Sequence, residues 1–471
     1  MRCSKSREVT RTLSSIVLCL FAVAPCATAQ TRNPAPPVLT LGGALDYAVE
    51  HYPTVRAALE EVNASTAGVD VARGAYLPRL DSMWQSNRAT ANNVFGQLLP
   101  QAVIPAMSGP VLPSASTQSV WGSAAGALFS WEPVDLGLRR AVLASAEAVV
   151  AHARAAEGLT RLDVQNAAGS AFLAVVVAQR TAAAAEADFD RRDVLKRIVQ
   201  TLVDNQLRAG AEASRADAER AAAETRLIQA RQMVAIAQTT LARVLGIGGG
   251  TVAIDASALG DLPNIEIDRT PAAAHPLLQV HQAAVEQARA QETVLARTDL
   301  PRVYLQSAVF ARGSGAQVSG VLEDGLDGLG LDRANWAAGL QIVVPNLFDF
   351  ATLRARKTAA AASTRAEAAR YDEAAIAVSS EQEIAAAVLR ASRAVAANTP
   401  IQLAAAQQSE AQARARYQAG LTSLVEVADA QNLLAQAEIQ DQLARIDVWR
   451  ALFAQSVAAD RVAEFLRLFH P

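Results

Sequence analysis

The chain has 471 residues, with 43 Lys or Arg against 46 Asp or Glu, a formal net charge of −3 and 51% hydrophobic residues. Only 5% are aromatic, and much of the apolar content is alanine, the strongest helix former because it loses no side-chain entropy on folding. This balance excludes a disordered chain, a disulfide-stapled module, a collagen-like fibre and a basic nucleic-acid binder, which needs excess Lys and Arg to neutralise phosphates.

Residues 1–29 read as a secretory signal. Arg2, Lys5, Arg7 and Arg11 form the basic start, LSSIVLCLFAV over residues 13–23 is the apolar core, and Ala27-Thr28-Ala29 gives an A-x-A cleavage site before Gln30. The apolar run is shorter than the ~20 residues a membrane span needs. All three cysteines, Cys3, Cys19 and Cys26, lie inside this segment, so the mature chain is expected to contain none. Pro25 just before Cys26 argues against a lipoprotein box.

Beyond the signal the chain is written twice. Tyr52-Pro53 opens a helical segment that closes at Leu77-Pro78-Arg79, and His275-Pro276 opens another that closes at Leu300-Pro301-Arg302, offset by 223 at both ends. Pro133 with Asp135 matches Pro345 with Asp349, and Ala209-Gly210 matches Ala419-Gly420, with spans of 77 and 75 residues from Pro133 to Gly210 and Pro345 to Gly420. Four pairings in one order indicate duplication. The first repeat runs over 30–250, with a strand pair in 80–131 and a long helical hairpin in 135–245. The second runs over 251–471, with a strand pair in 303–344 and a hairpin in 349–465. The glycines of Gly246–Gly250 lie at the join.

The residue before a proline is pushed out of the helical region, so Leu77 and Leu300 are expected to end helices and lead into extended chain. Leu80–Arg88, Ser119–Trp131, Val303–Arg312 and Trp336–Val344 follow as strands with period-2 alternation. Trp121, Ala125, Ala127, Phe129 and Trp131 share one face, as do Trp336, Ala338, Leu340, Ile342 and Val344. Trp84, Trp121, Phe129, Trp131, Tyr304, Phe310 and Trp336 together suggest the aromatic girdle of an outer-membrane barrel; a soluble sandwich with tryptophans in its core is the alternative. No later stretch is expected to be a transmembrane helix, since Gly, Pro, Ser, Asn and Gln interrupt the 43-residue charge-free run Ala89–Trp131. Four strands cannot close a membrane barrel, and the smallest barrels have about eight. Two copies would supply eight strands and three would supply twelve; strand count does not choose.

From about Asp135 to Arg208 and Asp349 to Gln418 the helical run is broken by nothing but single glycines and Pro400, where a kink or break is expected. A 70-residue helix reaches ~105 Å, beyond any single globular domain. Val425, Ala428, Asn432, Ala435, Ile439, Gln442, Ile446, Trp449 and Phe453 make one stripe, and Leu424, Val427, Leu434, Val448 and Leu452 a second. Two seams suit a helix with neighbours on both sides; a two-stranded rod is the alternative.

The doubled order, the Leu-Pro-Arg joints, Pro345-Asn346-Leu347-Phe348-Asp349, and the run Tyr417-Gln418-Ala419-Gly420-Leu421-Thr422-Ser423-Leu424-Val425-Glu426-Val427 resemble the TolC-type outer membrane factors, the outer membrane efflux proteins. The likeness covers residues 38–465. It implies a mainly α protein with a β-barrel part, a homotrimer whose twelve strands form a barrel in outer-membrane lipid and whose twelve helices form a periplasmic tunnel. It further implies a passive duct for efflux or type I secretion, served by a periplasmic adaptor (membrane fusion) protein and an inner-membrane transporter. By the same resemblance Arg208, Ala209, Gly210 and Ala211, with Tyr417, Gln418, Ala419, Gly420, Leu421 and Thr422, are the tips where an adaptor docks. Gly210 and Gly420 are expected to allow the sharp turns. Glu426 and Asp429 correspond to the acidic ring at the closed entrance. Thr422 and Ala216 depart from the family's latch residues, which points to Arg208, Glu212 or Arg215 as substitutes.

Other chemistry finds no support. His51, His152, His275, His281 and His470 have no ligand spacing, the Gly246–Gly250 stretch lacks the Lys-Ser/Thr of a phosphate loop, and Glu323–Gly328 does not follow an EF-hand. No cofactor, metal, nucleic acid or enzymatic activity is expected. The competing function is a soluble periplasmic coiled-coil adaptor or scaffold, which would need only one hairpin.

Overall fold

The computed structural model describes residues 38–90, 118–263, 265, 275–315, 319, 321–322, 325–345 and 350–469. The signal expected at 1–29, the Asn346–Asp349 part of the strand exit, Glu323, Asp324 and His470 lie outside the described residues.

Two short helices, α1 (Leu41–His51) and α2 (Pro53–Gly74), precede strands β1 (Arg79–Thr90) and β2 (Ser119–Val134). A hairpin of α3 (Leu138–Asp204) and α4 (Gly210–Val244) follows. Helix α5 (Pro276–Arg297), strands β3 (Arg302–Ser314) and β4 (Arg333–Val343), and a hairpin of α6 (Phe350–Gln418) and α7 (Leu424–Ala458) come next, then a closing turn of helix, α8 (Val462–Leu466).

Proline sets the starts of α2 and α5, where its missing N–H is one that no helix satisfies. His275 caps α5, its Nδ1 accepting from Leu277 N at 3.3 Å. Helices α2 and α5 end at Gly74 and Arg297, three residues before the expected leucines, and a further turn fills the gap, with Leu77 N donating to Gly74 O and Leu300 N to Arg297 O. Pro400 does not break α6, which runs through it for 69 residues. Thr399 beside it donates its hydroxyl to Asp441 Oδ1 of α7 at 3.0 Å, a buried cross-hairpin bond.

The four strands form one antiparallel sheet in the order β1-β2-β3-β4, leaving β1 and β4 as edges. Register assigns the faces. Leu80, Trp84, Trp121, Phe129, Trp131, Leu305, Val309, Trp336, Leu340 and Ile342 share one face. Arg79, Asp81, Gln85, Asn87, Gln306, Arg312, Arg333, Asn335 and Gln341 share the other. This corrects the aromatic grouping: Tyr304 and Phe310 lie on the polar face, away from the remaining five. Phe310 packs there with Met83 and Ala124, over Gly126, where an added Cβ would lie 2.6 Å from Phe310 Cβ. Pro133 occurs where the β2–β3 register shifts, between Trp131 and Val134, so its missing N–H interrupts no regular ladder.

The principal core lies at mid-length of α3 and α6 and near the ends of α4 and α7. It joins Leu41, Ala44, Leu45 and Ala48 of α1 with Phe172, Leu173, Val175 and Val176 of α3, Leu241 of α4, Leu389 of α6 and Val448, Trp449, Leu452 and Phe453 of α7. Composition alone would let α3 cross a membrane, but its apolar stretch contributes to this core. Gly169 of α3 faces the Phe453 ring so closely that a Cβ would lie 2.2 Å from Cζ. Trp449 fixes the connection between the halves, its Nε1 donating to Asp261 O at 3.1 Å.

Candidate functional site

The two hairpin turns come together at the end of the molecule far from the sheet. Each ends its first helix with the same pair of bonds. Leu207 N donates to Leu202 O and Gln206 N to Val203 O in the first, and Leu421 N to Arg416 O and Gly420 N to Tyr417 O in the second. That motif needs a left-handed residue, supplied by Gln206 (φ 60°) and Gly420 (φ 75°). Gly420 turns the chain as expected, but Gly210 does not: it is the first residue of α4, and its counterpart is Leu424. The pairing of Ala209-Gly210 with Ala419-Gly420 is therefore four residues out of structural register. The equivalent tip positions are Leu207 and Leu421, 69% and 71% exposed. Ala209, Ala211, Gln418 and Ala419 are exposed beside them.

Between the tips Tyr417 is buried against Val199, Ala216, Leu424 and Val427. Its hydroxyl donates to Glu212 Oε2 at 2.8 Å. Arg208 closes the set: its guanidinium lies 4.7 Å from the Tyr417 ring centroid, donates to Tyr417 O at 3.2 Å and approaches Glu212 Oε1 at 3.8 Å. Burial, then the bond to the Glu212 carboxylate, pushes the Tyr417 phenol up to about 12 against the opposing pull of Arg208. The phenol is therefore a fixed donor at neutral pH. Of the three candidate substitutes for the latch, Arg208 and Glu212 meet Tyr417, whereas Arg215 makes no hydrogen bond or ion pair among the described residues. Thr422 is buried, and its Oγ1 has no hydrogen-bond partner among the described residues.

Glu426 and Asp429 stand in the first turns of α7, both exposed in the protomer. Spaced by three, they lie on one side of the helix. Arg416 Nη1 approaches Glu426 Oε2 at 3.7 Å, an exposed pair of little energetic weight.

About 10 Å along α3 from Val199, by helical rise, a second set ties the hairpins together. The Arg192 side chain is 2% exposed; its Nε donates to both Asp188 oxygens at 3.0 and 3.1 Å, Nη1 to Glu219 Oε2 at 2.8 Å and Nη2 to Asn432 Oδ1 at 2.7 Å. Arg226 donates to Asp188 Oδ2 at 2.9 Å, and Arg191 makes a forked pair with Glu438 at 3.1 and 2.6 Å. Helices α3, α4 and α7 are joined at this level. Between it and the tips lies a cavity of about 270 Å³ lined by α3, α6 and α7 residues including Ile198, Glu410 and Gln431. Sequence reading missed this network because its partners are up to 247 residues apart. Among the described residues no group of three or more His, Cys, Asp or Glu could hold a metal ion.

Residues 272–454 match the family model of the outer membrane efflux proteins. None of the curated proteins is similar to the chain in sequence. Among solved structures, the chain is similar to the outer membrane protein VceC of Vibrio cholerae, with 17% identity over 89% of this chain and 95% of that one, TM-score 0.69. The Campylobacter jejuni outer membrane channel CmeC shares 14% identity over 91% and 89%, TM-score 0.71. The open state of the Neisseria gonorrhoeae outer membrane channel MtrE shares 17% over 90% and 89%, TM-score 0.69. The family match and the shared fold bear out the resemblance to the TolC-type outer membrane factors, with an α-helical part and a β part.

Proposed function

We propose that this chain, of the outer membrane efflux protein family, is one protomer of a passive trimeric duct. Three copies pair β1 of one with β4 of the next, giving twelve strands through outer-membrane lipid and twelve helices in the periplasm. The observation that carries this is the sheet: an apolar face, a polar face and two edges that are unpaired among the described residues. In lipid an unpaired edge costs several kcal/mol for each unsatisfied group, so the edges must meet their counterparts in other copies. Trp84 and Trp336, 72% and 78% exposed on the protomer, then face lipid, and the polar residues line the lumen. A water-soluble scaffold would leave both indoles in solvent, which disfavours that reading.

The tips form the periplasmic entrance. The bonds among Arg208, Glu212 and Tyr417 hold the hairpins together in the closed state, and in threefold symmetry Glu426 and Asp429 set six carboxylates around the constriction. The exposed Leu207 and Leu421 supply the apolar contact for an adaptor protein, which couples the duct to an inner-membrane transporter. No catalytic step is required of the chain. Small molecules or unfolded protein cross it, and the transporter selects them.

In planar bilayers the purified protein is expected to conduct, with the current blocked by a trivalent cation added on the side of the tips. Glu426→Ala with Asp429→Ala should raise the half-blocking concentration at least about tenfold, since a ring of like carboxylates is what holds the ion. Unchanged block would remove these two residues from the entrance.

A further inference from the structure

At the end of the sheet farthest from the helices, Arg312 and Arg333 are direct partners across β3 and β4. Both lie on the polar face, in a row that continues through Ala124 of β2 to Gln85 of β1. Directly opposed residues hold their Cβ atoms ~4.5–5.5 Å apart, and like charges so placed destabilise a sheet. Neither guanidinium has a hydrogen bond or ion pair among the described residues.

Nothing nearby on the sheet neutralises the pair. Asp81, the acidic residue of β1 on this face, pairs with Leu128, four residues along β1 from the Gln85 row and so ~13 Å away at strand rise. Arg88 belongs to the other face, where its guanidinium lies 5.7 Å from the Trp121 ring centroid and Nε donates to Ser119 Oγ at 3.0 Å. Residues 91–117, between β1 and β2, include no charged side chain. Of the four acidic residues between β3 and β4, Asp327 and Asp332 are exposed and pair with neither arginine, and Glu323 and Asp324 lie outside the described residues.

We infer that Arg312 and Arg333 form an anion-binding ring at the external mouth of the duct, taking multivalent oxyanions such as polyphosphates or polycarboxylates. The inference rests on the trimeric reading above, which turns the polar face inward and brings six guanidinium groups to one level of the lumen. Guanidinium is suited to this because its planar fork meets phosphate or carboxylate oxygens two at a time, and arginine rings select anions in other pores. The guanidinium level then lies at the far end of the duct from the entrance carboxylates, and anionic cargo is held there.

The test uses the full-length protein in planar bilayers of zwitterionic lipid at fixed ionic strength. The long helices cannot cross lipid, so the tips stay on the side of addition and the external mouth faces the opposite chamber. Tripolyphosphate added to that chamber should block the current. In Arg312→Gln with Arg333→Gln the half-blocking concentration should rise at least about tenfold, while Arg312→Lys with Arg333→Lys should fall between that variant and wild type. A conducting wild type without block from that side, or equal block in the glutamine variant, overturns the ring and leaves the duct standing. A protein that forms no conducting pore overturns both.

Discussion

Tyr417→Phe combined with Glu212→Gln is expected to open the duct without an adaptor. The bond from Tyr417 to Glu212 has a charged acceptor, so it is worth about 1.5–3 kcal/mol in each protomer. In the proposed trimer, three protomers opening together lose about 4.5–9 kcal/mol of closed-state preference. About 5.5 kcal/mol is enough to carry a two-state equilibrium from almost wholly closed to almost wholly open. Single-channel recording should show brief, rare openings in wild type and long-lived ones in the variant. Equal open probability would mean that the tips are held elsewhere. The same bond gives a pH signature. Burial and the Glu212 bond raise the Tyr417 pKa to about 12 in this structure, so on the proposed reading the closed state favours the protonated phenol. Its contribution is complete below the ordinary tyrosine value near 10 and is lost as pH rises through about 12. Wild-type openings should lengthen over that window, and those of the Phe variant should not.

Arg192→Met should cost more than any other single change in the helices. The side chain is enclosed, and its removal strands the Asp188 and Glu219 carboxylates and the Asn432 amide it now bonds. Breaking a buried ionic set by deleting one partner typically costs 3–5 kcal/mol, because the remaining charge stays desolvated. Arg226 moderates this at Asp188 but does not reach Glu219 among the bonds present. A lower thermal midpoint of the helical circular dichroism, with the strand signal retained, is the expected result. Replacing Arg289, an exposed partner of Glu286, should shift the midpoint far less. Equal shifts for the two variants would show that burial of Arg192 has no energetic consequence.

Much of the fold can be read in the sequence because it is written in local terms. Pro53 and Pro276 mark helix starts, alternation marks the strands, and alanine-rich runs, broken in one case by Pro400, mark the long helices. What needs tertiary context is less accessible. Tyr304 and Phe310 look like girdle residues by composition, and only the register of β2 against β3 and β4 turns them to the polar face. Gly210 looks like a turn residue because glycine tolerates positive φ, yet Gln206 takes that conformation where the carbonyls of Leu202 and Val203 need donors. Pro400 would break an isolated helix; here a hairpin partner and the Thr399–Asp441 bond support α6 on either side. The pairing of Tyr417 with Glu212 spans 205 residues, and neither has a local pattern that distinguishes it from its neighbours.

Native mass spectrometry of the particle extracted from outer membranes puts the shared pore to the sharpest test. Release by detergent but not by salt, at three chains per particle, is the predicted outcome: the two open edges require other copies to close the sheet in lipid, and the resemblance to the trimeric outer membrane factors sets their number. A single chain washed free by salt alone would contradict it.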